Sequence, residues 1–277
     1  MTRLILIILD GLGYAQSRRL MGNLEGWVAS GDAQLGSMQA VLPTTSGPCY
    51  ASIHTGVVPQ EHGILSNDHL FRVSQADIFS VCSRAGCGTG AVAHSFFSTY
   101  FQRDPYDPVR DMEVDDASLP IQHGRFYSML GETHGNLAVP SDYDLFAQTT
   151  LLAERFSPAY ILCHASSTDS VGHRFGQESI EMDANTYKVD AALATYLPRW
   201  RESGYEILIT ADHGQSARGH HGGSADVMRQ VPLYYFGDAT LSCRAGEDLD
   251  QLQIAPTVLS RLGLEIPASM QYPVFLA

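Results

Sequence analysis

The sequence predicts an α/β fold in which a largely parallel central sheet is covered by helices on both faces. Three observations carry this. Apolar runs of strand length recur along the chain, helical patterns lie between them, and acidic residues follow three of the runs where each strand would end. Continuous apolar runs are what strands buried on both faces require. Strands that alternate with helices build sheets covered on both sides.

The runs are RLILIIL (3–9), GTGAVAH (88–94), AYILCHA (159–165), YEILITA (205–211) and VPLYYFG (231–237), and all five read as buried parallel strands. Between them, residues 182–200 form a helical pattern with Tyr187, Val189, Ala191, Leu193, Ala194 and Leu197 on one apolar side. Residues 248–267 read as a helix that ends near Gly263, followed by a turn to Pro267. The middle, 68–158, is less regular, and its Asp- and Pro-rich stretch 101–120 reads as a surface excursion, with a lid over the site and a solvated loop as the two readings. No repeat, low-complexity tract or linker divides the 277 residues, so one domain over 1–277 is expected.

Hydrophobic residues make up 44% and charged residues 17%, which suits a substantial core. A net charge of −13 argues against a nucleic-acid polymer as partner, because phosphate backbones demand basic surfaces. Small anionic substrates stay open, since a bound metal reverses the local sign. Five scattered cysteines, Cys49, Cys82, Cys87, Cys163 and Cys243, do not form a disulfide framework, and reduced thiols in a cytoplasmic protein are expected. The first apolar run stops at Asp10, too short for a membrane span and without a cleavage site, so no membrane association is expected.

The chemistry sits at the strand ends. LIILDG ends in Asp10, YILCHASSTDSVGH reaches Asp169 and His173, and ILITADHG ends in Asp212 and His213. Open α/β sheets bind ligands at the carboxyl ends of their strands. Asp169 and His173 are spaced i, i+4, so a helical turn aims both the same way and suits chelation. Asp212 and His213 are adjacent and diverge, which suits two neighbouring metals better than one. GHHGG adds His220 and His221 in a glycine-rich loop. Mixed histidine and carboxylate ligands favour Zn2+ or a similar first-row ion. His94, His123, His134 and His164 read as hydrogen-bonded surface or core residues. The remaining element is LPTTSGPCY (42–50), with Thr44, Thr45 and Ser46 as hydroxyls in a turn-rich stretch. A hydroxyl is a poor nucleophile at neutral pH, and coordination to a metal is one remedy. Together these features suggest a two-metal hydrolase.

With LIILDGLGY, LPTTSGPCYASIHTGVVPQEHGILSN, TDSVGHRFG, TADHGQ, HHGGSADVMRQVPLYYFG and IAPTVLSRLGLEIP in this order, the chain resembles the alkaline phosphatase superfamily, in its type I phosphodiesterase/nucleotide pyrophosphatase branch. The resemblance implies an alkaline phosphatase-like fold and two divalent metals, Zn2+ in the first place and Mn2+ as the alternative. It implies one metal on Asp169, His173 and His221, and the other on Asp10, Asp212, His213 and the oxygen of Ser46. His221 is preferred to His220 because it precedes Gly222. Ser46 is the implied nucleophile because it stands two residues before Pro48. Gly47 and Cys49 are the implied substrate-binding positions, although Cys49 replaces an Asn of the branch and a thiol is the weaker donor, with simple packing as the other reading of Cys49. Backbone N–H groups near Gly47, at a helix start, are expected to carry more of that work.

The implied activity is hydrolysis of a small phosphate ester, such as a nucleotide diester, through a seryl intermediate. A phosphomonoesterase and a non-catalytic metal-binding protein are the alternatives. Tyr50 stands where sulfatases carry Arg, which argues against that class. Cofactor-independent phosphoglycerate mutases share the metals but carry a large inserted domain for which this chain is too short. Phe96, Phe97, Tyr100 and Phe101 offer packing for a leaving group, with a core role favoured. The oligomeric state is left open.

Overall fold

The computed structural model describes residues 2–129, 139–242 and 247–277. His134 and Cys243 lie outside the described residues. Among the described residues, nine strands form one sheet: β1 Arg3–Leu9, β2 Gln34–Gln39, β3 Thr89–His94, β4 Glu113–Asp115, β5 His123–Tyr127, β6 Tyr160–Ala165, β7 Tyr205–Thr210, β8 Gln230–Phe236 and β9 Leu249–Asp250. Their order across the sheet is β4-β5-β3-β6-β1-β7-β8-β2-β9.

The centre matches the expectation. β1 lies between β6 and β7, parallel to both, with Ile7 opposite Cys163 on one side and Ile209 on the other. β3 extends the parallel block from β6 to β5. Residues 4–9 of β1 and all of β3, β6 and β7 are buried, which explains why these segments carry hydrophobic residues at successive positions rather than alternate ones.

Three expectations need correction. β8 runs antiparallel to β7, not parallel. An apolar run carries no direction, and no helix long enough for a crossover lies between Thr210 and Gln230, where the described structure holds only the turn Asp226–Arg229. The middle segment is more regular than its composition suggests. It supplies β3, β4 and β5, and residues 101–120 hold the helical turn Pro108–Asp111 and an edge strand. Arg103 and Arg110 both pair with the buried Asp111 within the excursion, and the pairing of β4 with β5 ties it to the sheet. In the helix Ile180–Glu202 the buried residues include Val189, Leu193 and Leu197, but Tyr187 is 55% exposed and Ala191 is also exposed. Polar residues occupy part of the inner face instead. Thr186 accepts from Gln16 at 2.7 Å, and Asp190 accepts from the backbone N–H groups of Asn23 and Leu24 at 2.8 and 3.1 Å.

The helix near the C-terminus begins at Ile254, later than expected, and Gly263 follows its end with φ of 71°. No helix among the described residues is long and apolar enough to cross a membrane.

Candidate active site

Because β1, β6 and β7 are parallel neighbours, the residues that follow them emerge at one edge of the sheet. Asp10 follows β1 directly. Gly11 turns the chain there with φ of +76°, a conformation that glycine adopts without steric cost, and its N–H reaches Asp212 Oδ1 at 3.1 Å. Asp212 follows β7. The helix Ser167–Phe175 starts two residues after β6 and carries Asp169 and His173 one turn apart, with Nε2 of His173 3.3 Å from Asp169 Oδ2.

The structure brings all seven expected metal-site residues together. His213 Nε2 lies 3.2 Å from Asp212 Oδ2, 3.4 Å from Ser46 Oγ and 3.6 Å from Asp10 Oδ1. His221 Nε2 lies 3.0 Å from His173 Nε2 and 3.7 Å from Asp169 Oδ1. Two compact donor sets result, Asp10–Asp212–His213 and Asp169–His213–His221. The His213 and His221 rings stack with centroids 3.9 Å apart, so the sets are contiguous. His220 is exposed, and its backbone closes a turn with Ser216 instead.

These donors fit divalent cations. Asp10 Oδ1 and Asp212 Oδ2 are buried and make no hydrogen bond, a costly state for carboxylate oxygens unless a cation meets them. Burial, and then repulsion from Asp212 and Asp169, raises Asp10 well above the ordinary carboxylate range. Burial, and then Asp169, pushes Asp212 up to about 7. Burial also pushes Asp169 upward, but the His173 hydrogen bond and the charges of His213, His173 and His221 outweigh it and hold Asp169 at about 2. Removing ions from such a cluster favours protonated acids; bound cations favour carboxylates.

Four of these residues are held from behind. Tyr50 donates to Asp10 Oδ2, which also meets His164 Nε2 at 3.2 Å. Gln215 donates to Asp169 Oδ1 at 2.5 Å, and His221 Nδ1 meets the Thr44 carbonyl at 2.9 Å. Gln251 donates to the Asp212 carbonyl at 2.8 Å. The sequence held no spacing cue for Tyr50, Gln215 or Gln251, since their contacts depend on how distant segments dock.

Ser46 is the first residue of the helix Ser46–Thr55, with Thr45 extended before it. Gly47 and Pro48 fill the first turn, where the missing proline N–H costs nothing. Gly47 is needed for space, because a Cβ there would stand 2.7 Å from the Tyr100 hydroxyl. Two substrate-binding expectations change. The Gly47 N–H already donates to Asn67 Oδ1 at 2.8 Å. Cys49 is fully buried beside Ala40, Val41 and Leu252, its thiol 3.9 Å from the Pro43 carbonyl, which makes it a packing residue. Burial also raises its thiol well above the usual range. Asn67, which spacing alone did not single out, is the exposed amide beside the start of the Ser46 helix.

Of the four remaining aromatics, Phe97, Tyr100 and Phe101 are core, whereas the partly buried Phe96 helps to line a cavity of about 390 Å³ with Leu70, His94, Thr99, Asp104 and Tyr106. A larger cavity of about 530 Å³ is bordered by Ser167, Val171 and Lys188, and neither cavity includes any of the seven expected metal-site residues. His94 accepts from Phe96 N–H, and His123 pairs with Asp115 at 2.9 Å. Both have local structural partners.

Comparisons with known proteins agree with this architecture. A family model described as type I phosphodiesterase/nucleotide pyrophosphatase matches residues 4–222. A 2,3-bisphosphoglycerate-independent phosphoglycerate mutase of Vibrio vulnificus is 37% identical over 117 residues, which cover 40% of this chain and 22% of the mutase. The mutase of Wolinella succinogenes is 29% identical over 209 residues, 65% of this chain and 42% of the relative. The chain therefore matches less than half the length of these relatives. Murine ectonucleotide pyrophosphatase/phosphodiesterase 5, solved in an inactive form in complex with AMP, superposes with a TM-score of 0.69 at 13% identity, covering 100% of this chain and 98% of that one. That likeness shows a shared fold. With the family model spanning β1 through the His221 loop, the chain belongs to the type I phosphodiesterase/nucleotide pyrophosphatase family of the alkaline phosphatase superfamily.

Proposed function

We propose that the protein is a two-metal phosphoric diester hydrolase that works through a covalent seryl intermediate. The observation that carries this reading is the position of Ser46 Oγ, 3.4 Å from His213 Nε2, at the edge of a buried carboxylate–histidine cluster and at a helix start. Asp169, His173 and His221 would hold one metal, and Asp10, Asp212, His213 and Ser46 the other. Bound there, divalent ions of the Zn2+ or Mn2+ kind supply charge neutralisation and a lowered pKa for a coordinated oxygen.

The chain's own residues do the rest. Ser46 Oγ gives up its proton to solvent and attacks phosphorus in line; the ester P–O bond breaks, and the leaving oxygen takes a proton from solvent. Water then attacks the same phosphorus, the Ser46 Oγ–P bond breaks, and a proton from that water returns to Ser46. Asn67 has its Oδ1 fixed by the Gly47 N–H, which leaves its NH2 to donate to a phosphoryl oxygen, the work expected of position 49. A nucleoside phosphate is the favoured substrate class, and the AMP complex of the murine phosphodiesterase, a protein of the same fold, supports it.

Phosphomonoester hydrolysis is the second reading, favoured by the mutases among the relatives, whose name denotes chemistry on a monoester. Bis-p-nitrophenyl phosphate and p-nitrophenyl phosphate, assayed with and without a chelator, separate the two. The proposal expects faster diester cleavage that the chelator abolishes and added metal restores. A monoester preference would reverse the substrate class, and chelator-insensitive turnover would remove the metals from the chemistry.

A further inference from the structure

A file of hydrogen bonds lies behind Asp10. Ser166 Oγ, the Tyr127 hydroxyl, His164 and Asp10 Oδ2 follow one another at 3.1, 2.8 and 3.2 Å. All arise at the edge where the parallel strands end: Tyr127 closes β5, His164 lies in β6 and Asp10 follows β1. His164 is fully buried, and its two ring nitrogens face different partners. Nε2 faces a carboxylate, which accepts only, so the N–H of a neutral ring belongs on Nε2. Nδ1 must then accept from Tyr127, whose hydroxyl also lies 3.1 Å from Ser166 Oγ. The file is directional, with its donors aimed at Asp10.

Asp10 Oδ2 also accepts from Tyr50. Two donors hold that oxygen, while Oδ1, buried and without a hydrogen bond, stands 3.6 Å from His213 Nε2. We propose that His164, oriented by Tyr127, is a positioning residue that presents Asp10 to the metal through Oδ1 alone. The middle segment thereby helps to build the second metal site, through Tyr127. This inference rests on the two-metal reading above.

Metal content and chelator-competition affinity of the purified full chain test it, for wild type, His164→Leu, His164→Gln and Tyr127→Phe, with the thermal stability of each apoprotein alongside. His164→Leu is expected to weaken one of two metal equivalents by about 10- to 100-fold and spare the other. His164→Gln, which keeps an N–H near the Nε2 position, should recover most of that loss, and Tyr127→Phe should show a smaller loss. Wild-type affinity for both equivalents in His164→Leu, or in Tyr127→Phe should the former not fold, would overturn the inference. Equal weakening by His164→Leu and His164→Gln would also overturn it, as would lower apoprotein stability with unchanged affinity in the folded protein. A wild type that binds no metal would instead sink the two-metal reading itself.

Discussion

Ser46 illustrates how a common residue acquires a special setting. Its hydroxyl is ordinary, but Thr45 is extended before it, Gly47 admits Tyr100 close behind it, and His213 faces its oxygen. Asn67 reaches the same turn from twenty residues away. If its amide serves a phosphoryl oxygen in the transition state, Asn67→Ala should lower kcat/KM by about 10²- to 10³-fold, the usual cost of one such donor. Steady-state kinetics on a metal-loaded diester assay would check this, with bound metal unchanged; a loss under threefold would exclude Asn67 from that role. At this scale Asp10, Asp169, His173, Asp212 and His213 were legible because each follows a strand or sits at helical spacing, whereas Ser46 and His221 were reached only through the family resemblance. Asn67, Tyr50 and His164 were not, because their roles arise from loop and strand docking. Cys49, three residues after Ser46 in sequence, turns into the packing beneath it, the second of the two readings its position allowed.

Among the elements, the central strands and the stop of the last helix near Gly263 were legible, and the start of that helix and the inner face of the long helix were not. Thr186 and Asp190 are buried because they hold neighbouring segments, so apolar periodicity alone pointed to Tyr187 and Ala191 instead. A buried polar cap also governs the helix Ile78–Arg84. Asp77 accepts from the Ser80 N–H at 3.0 Å, and burial pushes its carboxyl up to about 6. The unfolded chain releases that proton near pH 4, whereas the folded chain keeps it to about pH 6. Folding therefore binds the extra proton, and stability falls as pH rises from about 4 to about 6, by roughly 3 kcal/mol from this group. Asp77→Asn keeps an acceptor at the cap and removes the titration. Urea unfolding at pH 4.5, 6 and 7.5 should show a shallower decline in the variant, and superimposable profiles would refute the assignment.

Over the whole molecule, the fold concentrates three buried carboxylates where β1, β6 and β7 end. That arrangement is unfavourable without cations and favourable with them, so metal binding and folding should be linked. Chelation should lower the melting temperature by at least about 5 °C, and added Zn2+ or Mn2+ should restore it. A melting temperature indifferent to both would mean that the cluster holds no metal. The topology itself was only partly legible. The parallel block announced itself through continuous apolar runs, but β2, β4, β5 and β9 are short or mixed in polarity, and the direction of β8 depends on a connection without a crossover helix. The alkaline phosphatase-like architecture nevertheless places Ser46 at the same edge as the acids, although it lies far from most of them in sequence.

Trapping the covalent intermediate tests that placement most directly. Metal-loaded protein, mixed with a phosphate diester, quenched in acid within the first turnovers and mapped by peptide mass spectrometry, should carry a substrate-derived phosphoryl adduct whose fragmentation assigns it to Ser46 rather than Thr44 or Thr45. Ser46→Ala should carry no adduct and no turnover while keeping its metals. Turnover that persists in Ser46→Ala, or an adduct on either threonine, would contradict the account.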